Sequence, residues 1–293
     1  MPSRTLAAIV AVLSVLALPA AAQAAKAKPS YYVSLGDSYA AGYQRFSATD
    51  ARTTRDGFAY QLVGKARARG YNLKLVNFGC GGETTVSILN RKTKCGGLGP
   101  GGVDYAGVTQ ATAAERFLRK HRGQVKLITV SIGGNDVTAC VREADPVACV
   151  GPAMDRVKAN GKTLLKRLRK AAGTKTRIVG ITYPDVVLGQ WVGENANQEL
   201  AKLSLIAFQS LLNPALKEMY ESVKGRFVDV TKATGAYTPL EQTTTLAPYG
   251  EIPVAVAQIC RLTAYCAYRD IHPNAKGYAV IADLIAKTLP RRH

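Results

Sequence analysis

Five short apolar runs, separated by helical patterns, constrain the fold of this 293-residue chain more than any other feature. Each run has the length of a strand and is rich in β-branched residues, as strands buried on both faces of a parallel sheet are. The runs span residues 31–35, 73–78, 125–132, 177–182 and 226–230. Because strands alternate with helices, the sequence predicts an α/β fold in which helices cover both faces of a parallel sheet.

Helical spacing of apolar residues recurs between these runs. The predicted helices span residues 57–69, 110–121, 154–172, 195–223 and 275–289. Pro214 is expected to kink or divide the fourth helix, and Asn274 is expected to cap the fifth. Two insertions, at 84–108 and 232–268, are expected to be irregular loops over the carboxyl edge of the sheet, where loops shape substrate access.

The amino-terminal segment is typical of a secretory signal peptide. Arg4 precedes an apolar stretch at 6–18, and small residues follow Pro19 as a signal-peptidase site requires. The apolar stretch is short for a membrane span of about 20 residues, which argues against an anchor. We therefore predict that residues 1–25 are a signal peptide and that residues 26–293 form a single secreted domain.

The six cysteines all lie beyond the predicted signal peptide, and an oxidising compartment would pair them. Many connectivities are possible, and local closure is the simplest. The local couples are Cys80 with Cys95, Cys140 with Cys149, and Cys260 with Cys266. A metal site is disfavoured, because the sequence has no Cys-x-x-Cys pair and its three histidines are scattered.

The chain has 39 Lys and Arg against 20 Asp and Glu, a formal net charge of +19. Such a charge suggests an acidic partner, for example anionic lipid or a cell-wall polymer. The charges are dispersed over helical patterns without interleaved aromatic residues for base stacking, which argues against nucleic acid. We favour a solvated basic surface with weak attraction to an anionic envelope, on a protein expected to be a monomer.

A serine stands where the first predicted strand ends. Ser38 lies in the Gly-Asp-Ser-Tyr sequence at 36–39, a sharp turn that presents its side chain to the crevice beyond the carboxyl ends of the strands. Gly82 and Asn135 follow the second and third strands, and His272 precedes the last helix. Since the loops after parallel strands share one edge of the sheet, we expect these four residues to converge.

A serine hydroxyl is a weak nucleophile until a base removes its proton. His272 is the best candidate base, because His121 lies at a helix end among cationic residues and His293 is the last residue. Asp270 is the local candidate for holding the imidazole tautomer, and the less favoured alternative is that it caps the backbone or pairs with Arg269.

Acyl transfer builds negative charge on a carbonyl oxygen, and donors aimed at that oxygen supply much of the catalysis. The backbone N–H groups of Ser38 and Gly82 are candidate donors, since glycine lets backbone approach a ligand closely. The side-chain amide of Asn135 is a third candidate, although an asparagine after two glycines could equally be a turn residue.

Four sequence blocks resemble those of the SGNH hydrolases, also called GDSL esterases and lipases. They are Gly-Asp-Ser-Tyr at 36–39, Asn-Phe-Gly-Cys-Gly-Gly-Glu-Thr at 77–84, Gly-Gly-Asn-Asp at 133–136 and Asp-Ile-His-Pro at 270–273. The order is that of the family, and the three cysteine couples further resemble its secreted actinobacterial branch, which hydrolyses carboxylic esters and some acyl lipids. The resemblance implies a three-layer α/β/α fold around a five-stranded parallel sheet, with no metal or organic cofactor.

Two departures from the family pattern leave questions open. The family often places an aspartate three residues before the histidine, where this chain has Arg269. Either Asp270 orients His272, or a backbone carbonyl near Arg269 does so and the enzyme works as a Ser-His dyad. Gly81 and Glu83 flank the oxyanion glycine, where many relatives have serine and alanine. Glu83 would add a charge near the site and could tune substrate choice.

The resemblance implies an ester hydrolase that forms an acyl-enzyme at Ser38, with a small-molecule or lipid ester as substrate. A lipid esterase would expose apolar surface in the second insertion, for which the candidates are Leu246, Ile252, Val254 and Val256. A polysaccharide O-deacetylase of the same mechanism is one alternative, and a non-catalytic basic protein that binds the cell envelope is another. A Gly-x-Gly-x-x-Gly pattern at 97–102 follows no strand and contains Pro100, which argues against nucleotide binding.

Overall fold

The computed structural model of the protein describes residues 29–292, so the predicted signal peptide at 1–25 lies outside the described residues. The strands are β1 (Ser30–Gly36), β2 (Tyr43–Arg45), β3 (Ala51–Thr53), β4 (Leu73–Asn77), β5 (Val125–Ser131), β6 (Arg177–Ile181), β7 (Arg226–Val228), β8 (Thr243–Leu246) and β9 (Gly250–Pro253). The α-helices are α1 (Ser38–Ala41), α2 (Phe58–Arg67), α3 (Ser87–Asn90), α4 (Gln110–Lys120), α5 (Gly134–Thr138), α6 (Pro146–Ala172), α7 (Gln198–Ala207), α8 (Asn213–Glu221), α9 (Val230–Ala233), α10 (Val254–Leu262), α11 (Tyr265–Tyr268) and α12 (Ala275–Lys287).

Five strands form one parallel sheet in the order β4-β1-β5-β6-β7. Helix α2 packs with α12, while α6 packs with both α4 and α8, so helices cover both faces. The central strands β1 and β5 bury consecutive residues, as strands covered on both sides do. This three-layer arrangement confirms the predicted fold class, and the predicted strands differ from the observed ones by at most two residues at an end.

The strand order creates the crevice in which ligands of such sheets bind. The chain leaves β1 toward β4 on one side and returns to β5 on the other, so connections diverge between β1 and β5. Such a switch point opens a cleft outside the carboxyl ends of the strands. Ser38 follows β1 directly, and Asn135 lies in α5 after β5, so both stand at this cleft.

Two helices differ from the prediction for local reasons. Helix α6 begins at Pro146, earlier than predicted, because the side chain of Asp145 accepts the N–H of Ala148 and caps it. The fourth predicted helix is divided by a π-helical turn at Phe208–Leu212. Pro214 follows this turn as the second residue of α8, and a proline, which lacks the N–H for the helical hydrogen bond, is a recognised cause of such interruptions.

The prediction that the insertion at 232–268 is an irregular loop is wrong. It forms the β8–β9 hairpin and helices α10 and α11, and its apolar side chains build a second, smaller core. Ile252 and Val256 are buried in that core, and Leu246 and Val254 are half-buried, so they do not form the exposed apolar surface expected of them. Four of the seven large apolar side chains that are exposed within residues 29–292 lie instead on α7 and the π-helical turn: Leu200, Leu203, Ile206 and Leu211.

Three disulfides join the cysteines in the local couples: Cys80–Cys95, Cys140–Cys149 and Cys260–Cys266. Among residues 29–292, none of the helices has both the length and the apolar character that crossing a bilayer requires.

Candidate active site

A tight turn between β1 and α1 holds Ser38. Gly36 has a φ of 128°, and a Cβ at this position would collide with the carbonyl oxygen of Ser131 on β5, so only glycine fits. Asp37 caps α1 by accepting the N–H of Tyr39 at 3.0 Å. The turn leaves Ser38 as the first residue of α1, with 8 % of its surface exposed.

Ser38, His272 and Asp270 form a continuous hydrogen-bonded chain. The Nε2 atom of His272 lies 2.8 Å from Ser38 Oγ, and its Nδ1 atom lies 2.6 Å from Asp270 Oδ1. The same carboxylate oxygen accepts the backbone N–H of His272 at 3.0 Å. When Nδ1–H donates to Asp270, Nε2 is free to accept the serine proton, as activation of a serine nucleophile requires.

Arg45 completes the surroundings of Asp270, and the sequence offered no local signal for it. This residue ends β2, lies 225 positions from Asp270 in sequence, and donates from Nε to Asp270 Oδ2 at 2.7 Å. Burial would raise the pKa of Asp270, but the hydrogen bonds from His272 and Arg45 outweigh it and hold that pKa below its ordinary value. The carboxylate beside His272 therefore stays ionised at neutral pH.

The loop that carries His272 is fixed by its neighbours. The Tyr39 hydroxyl donates to the carbonyl oxygen of Ile271 at 2.7 Å, and the Tyr43 ring centroid lies 4.4 Å from that of His272. Arg269 adopts a left-handed backbone conformation and donates its guanidinium to the carbonyl oxygens of Gly189 and Val192. Its side chain thus fastens the loop to the chain after β6 and does not reach the imidazole.

Two backbone donors near Ser38 have no protein acceptor. Within residues 29–292, neither the N–H of Ser38 nor that of Gly82 makes a hydrogen bond to another group of the chain. Gly82 has a φ of 76°, and the position of a Cβ there would face open space. Both N–H groups are therefore available to a ligand.

Asn135 is held beside the loop that carries Gly82. Its Nδ2 atom donates one hydrogen to the carbonyl oxygen of Glu83 at 2.8 Å, which leaves the second hydrogen for another acceptor. The next residue, Asp136, accepts both the backbone N–H and the hydroxyl of Thr85 at 2.9 and 2.5 Å. These bonds tie the start of α5 to the loop after β4, so the predicted donors share one side of the cleft.

Comparison with known proteins identifies the family. A model of the GDSL-like lipase/acylhydrolase family matches residues 34–280, which is most of the chain. The chain belongs to the GDSL-like lipase/acylhydrolase family. Membership supports an ester hydrolase activity of the esterase or lipase kind.

One solved structure supports the same fold, and two others are similar at lower scores. This GDSL-family chain matches the phospholipase A1 of Streptomyces albidoflavus NA297 with a TM-score of 0.51 and 18% identity, over 89% of this chain and 98% of that one. Est24, a carbohydrate acetylesterase from Sinorhizobium meliloti, gives a TM-score of 0.48 and 12% identity over 88% and 97% of the two chains. The extracellular lipase of Streptomyces rimosus gives 0.46 and 15% over 88% and 98%. A comparison with curated protein sequences gives no match.

Glu83, which departs from the pattern of many GDSL relatives, is buried and paired. Only 1 % of its surface is exposed, and its carboxylate accepts from Arg91 at 2.6 Å and from the Ser87 hydroxyl. The negative charge expected near the site is thus balanced within its own loop, and the pair fastens the segment that carries Gly82. No group of three or more potential metal-binding side chains occurs in the part of the chain that the structure describes.

Proposed function

We propose that this protein hydrolyses carboxylic esters through an acyl-enzyme at Ser38. The observation that carries the proposal is the hydrogen-bonded chain from Ser38 through His272 to Asp270, beside two unpaired backbone N–H groups. A base within reach of the serine and donors with no protein acceptor are the two requirements of acyl transfer.

In the first step, His272 Nε2 takes the hydroxyl proton while Ser38 Oγ bonds to the ester carbonyl carbon. The electron pair displaced onto the carbonyl oxygen is stabilised by the N–H groups of Ser38 and Gly82 and by the free amide hydrogen of Asn135. The ionised Asp270 stabilises the imidazolium. The imidazolium then protonates the leaving alkoxide as the ester C–O bond breaks.

In the second step, His272 removes a proton from a water molecule that attacks the acyl carbon. The Ser38 Oγ–carbonyl bond breaks, the serine regains its proton from the imidazolium, and the carboxylic acid leaves. No metal or organic cofactor enters this scheme.

Replacement of Ser38 tests the nucleophile. Ser38→Ala is expected to abolish turnover of p-nitrophenyl esters while the thermal unfolding midpoint stays close to that of the wild type. Ser222→Ala is a matched control, because its hydroxyl bonds only to the carbonyl oxygen of Met219 after α8. A Ser38→Ala variant that keeps its rate would overturn the assignment, and a wild type without turnover would favour the non-catalytic envelope-binding alternative.

The acyl group of the substrate is proposed to be apolar. An apolar groove of about 50 Å³ lies against α5, the helix of Asn135, and is lined by Val137, Met154 and Phe208 among others. Its small volume suits a short acyl chain, which keeps polysaccharide O-deacetylation as the second candidate. A panel of esters from acetyl to long acyl, with an acetylated polysaccharide alongside, separates the two: a maximum at acetyl with release of acetate from the polysaccharide favours deacetylation.

Secretion is also a proposal, supported by the three disulfides and the amino-terminal pattern. Mass spectrometry of the exported protein should give an amino terminus near residue 26, and deletion of residues 1–25 should abolish export. Weak attraction of the monomer to anionic lipid or cell-wall polymer is supported by the net charge of +19. Such attraction should weaken with salt, since exposed charges are screened.

A further inference from the structure

A concave surface at the far edge of the sheet from Ser38 is dominated by cations. It has a volume of about 410 Å³, and seven of its thirteen lining residues are Lys or Arg while none is Asp or Glu. Lys126, Arg177 and Arg226 stand at the amino ends of β5, β6 and β7. Ser38 lies beyond the carboxyl ends of the strands, so this surface, here named the cationic pocket, is about 20 Å from it.

The remaining cations of the cationic pocket come from the helices and loops around that edge. Arg169 lies in the last turn of α6, Lys175 follows α6, and Lys224 follows α8. Arg292, from the carboxyl-terminal segment, stacks its guanidinium over the ring of Tyr71 at 4.0 Å from the centroid. Segments distant in sequence therefore bring positive charge to one concavity.

These charges have no internal counter-ion. Within residues 29–292, none of the seven side chains pairs with a carboxylate, whereas four arginines elsewhere each do: Arg45, Arg52, Arg91 and Arg167. Arg169 donates to backbone carbonyl oxygens, including that of Thr176 at 2.6 Å, and Arg177 donates to that of Thr288. Backbone carbonyls hold these guanidinium groups in place without neutralising them.

Loss of solvation affects two arginines of the cationic pocket, and a neighbouring like charge affects one of them. Burial lowers the pKa of Arg169, and burial together with the charge of Arg226 lowers that of Arg177. An external anion would relieve this repulsion.

Lys224, another cation of the cationic pocket, has an unusual backbone conformation. Its φ is 55°, the left-handed region that glycine occupies at least cost. The lysine at this turn therefore adopts a backbone conformation that costs it more than it would cost glycine, and it lines the cationic pocket.

We propose that the cationic pocket binds a phosphate-rich anion. Guanidinium and ammonium groups are the side chains that recognise phosphate oxygens, and their convergence in a cavity favours several linked phosphates over a single carboxylate. An anion held at this edge would leave the cleft of Ser38 facing away from it, so binding and ester hydrolysis would not compete. The inference does not depend on the proposed ester chemistry.

Inorganic tripolyphosphate is the probe, with binding measured by calorimetry in 0.15 M NaCl. The variant Lys175→Ala/Lys224→Gly/Arg226→Ala removes three exposed charges that bond to no structural partner within residues 29–292. Glycine at 224 also relieves the left-handed strain, so this variant should fold. We expect the wild type to bind and the triple variant to bind at least about tenfold more weakly, with ester turnover unchanged.

A second triple variant, Lys92→Ala/Lys94→Ala/Lys232→Ala, removes the same charge from exposed positions near the other edge of the sheet and should bind like the wild type. Equal losses in both triple variants, or no binding by the wild type, would overturn the proposal.

Vesicles of phosphatidylglycerol form the second arm. Binding of tripolyphosphate alone identifies a soluble anion as the source, and loss of both ligands in the pocket variant identifies a site that also accepts lipid headgroups. Vesicle binding without tripolyphosphate binding would overturn it, because a flat surface would then be responsible.

Discussion

Replacement of Asp270 by asparagine distinguishes a triad from a Ser-His dyad. In the wild type, Asp270 Oδ1 accepts Nδ1–H of His272, which leaves Nε2 to accept the proton of Ser38. The amide of asparagine would donate to Nδ1 and place the imidazole proton on Nε2, where it blocks proton transfer from the serine. In serine hydrolases with this wiring, the wrong tautomer lowers kcat by about 10⁴-fold, or about 5 kcal/mol of transition-state stabilisation.

The assay is steady-state hydrolysis of a short p-nitrophenyl ester from pH 5 to 9, with thermal unfolding as a check on the fold. Asp283→Asn is the matched control, because Asp283 is exposed and pairs only with Lys65 at the surface. We expect kcat of Asp270→Asn to fall by about 10³- to 10⁴-fold with little change in KM. A loss smaller than tenfold would refute the reasoning and favour a backbone carbonyl near Arg269 as the group that orients His272.

Three further predictions follow from the same structure. Asn135→Ala should lower kcat by about 100- to 1000-fold while KM changes little, and a loss below tenfold in stopped-flow or steady-state assays would remove it from the oxyanion site. Burial raises the pKa of Asp185 to about 7, so the folded state holds this proton more tightly than the unfolded chain and stability falls as pH rises from about 4 to about 7. Asp185→Asn should remove this pH-dependent loss of unfolding free energy, which is on the order of 4 kcal/mol. The measurement is the urea midpoint of unfolding from pH 4 to 8, and the same pH dependence in variant and wild type would contradict the prediction. The double variant Cys80→Ser/Cys95→Ser opens a loop of sequence separation 15 and should cost about 3 kcal/mol of stability; an unchanged calorimetric midpoint would contradict this.

The strands were predictable because each is a short, mainly apolar run with β-branched residues, a pattern typical of strands buried on both faces of a parallel sheet. The insertion at 232–268 was not, because its prolines suggest loop while its apolar residues serve a separate small core with Leu188 and Val192. The apolar residues of the insertion are buried by contacts with the chain after β6, and such contacts leave no periodic pattern in the local sequence. The pairing of Glu83 with Arg91 could not be predicted from the sequence either. The two residues are near in sequence, but their contact depends on the path of the loop between them.

Hydrogen bonds join Ser38, His272 and Asp270, and Asn135 bonds to the loop that carries Gly82. Each of these residues follows a strand end or precedes a helix at one edge of the sheet. This placement can be predicted from the rule that loops after parallel strands share one edge of the sheet, without knowledge of the strand order. Arg45 was invisible to this reasoning, since it reaches Asp270 from the β2–β3 hairpin, a feature outside the central sheet. The effect of Arg45 on the pKa of Asp270 depends on the distance between their side chains, which is defined only in the folded chain.

Two carboxylates near Ser38 start from the same ordinary pKa and are driven in opposite directions. Asp37 is fully enclosed and bonded only to uncharged donors, the hydroxyls of Tyr183 and Ser131 and a backbone N–H, so burial prevails and raises its pKa to about 6. Asp270 is less enclosed and meets Arg45 and His272, so its pKa is lowered. A group that must stabilise an imidazolium has to be ionised when the proton arrives, and Asp270 meets that condition across the neutral range. Asp37 is the direct neighbour of Ser38 in sequence. Its hydrogen bonds tie the turn between β1 and α1 to Ser131 on β5 and to Tyr183 after β6. Proximity to Ser38 along the chain therefore does not make Asp37 the acid partner, and the charge of the bonding groups favours Asp270 for that role.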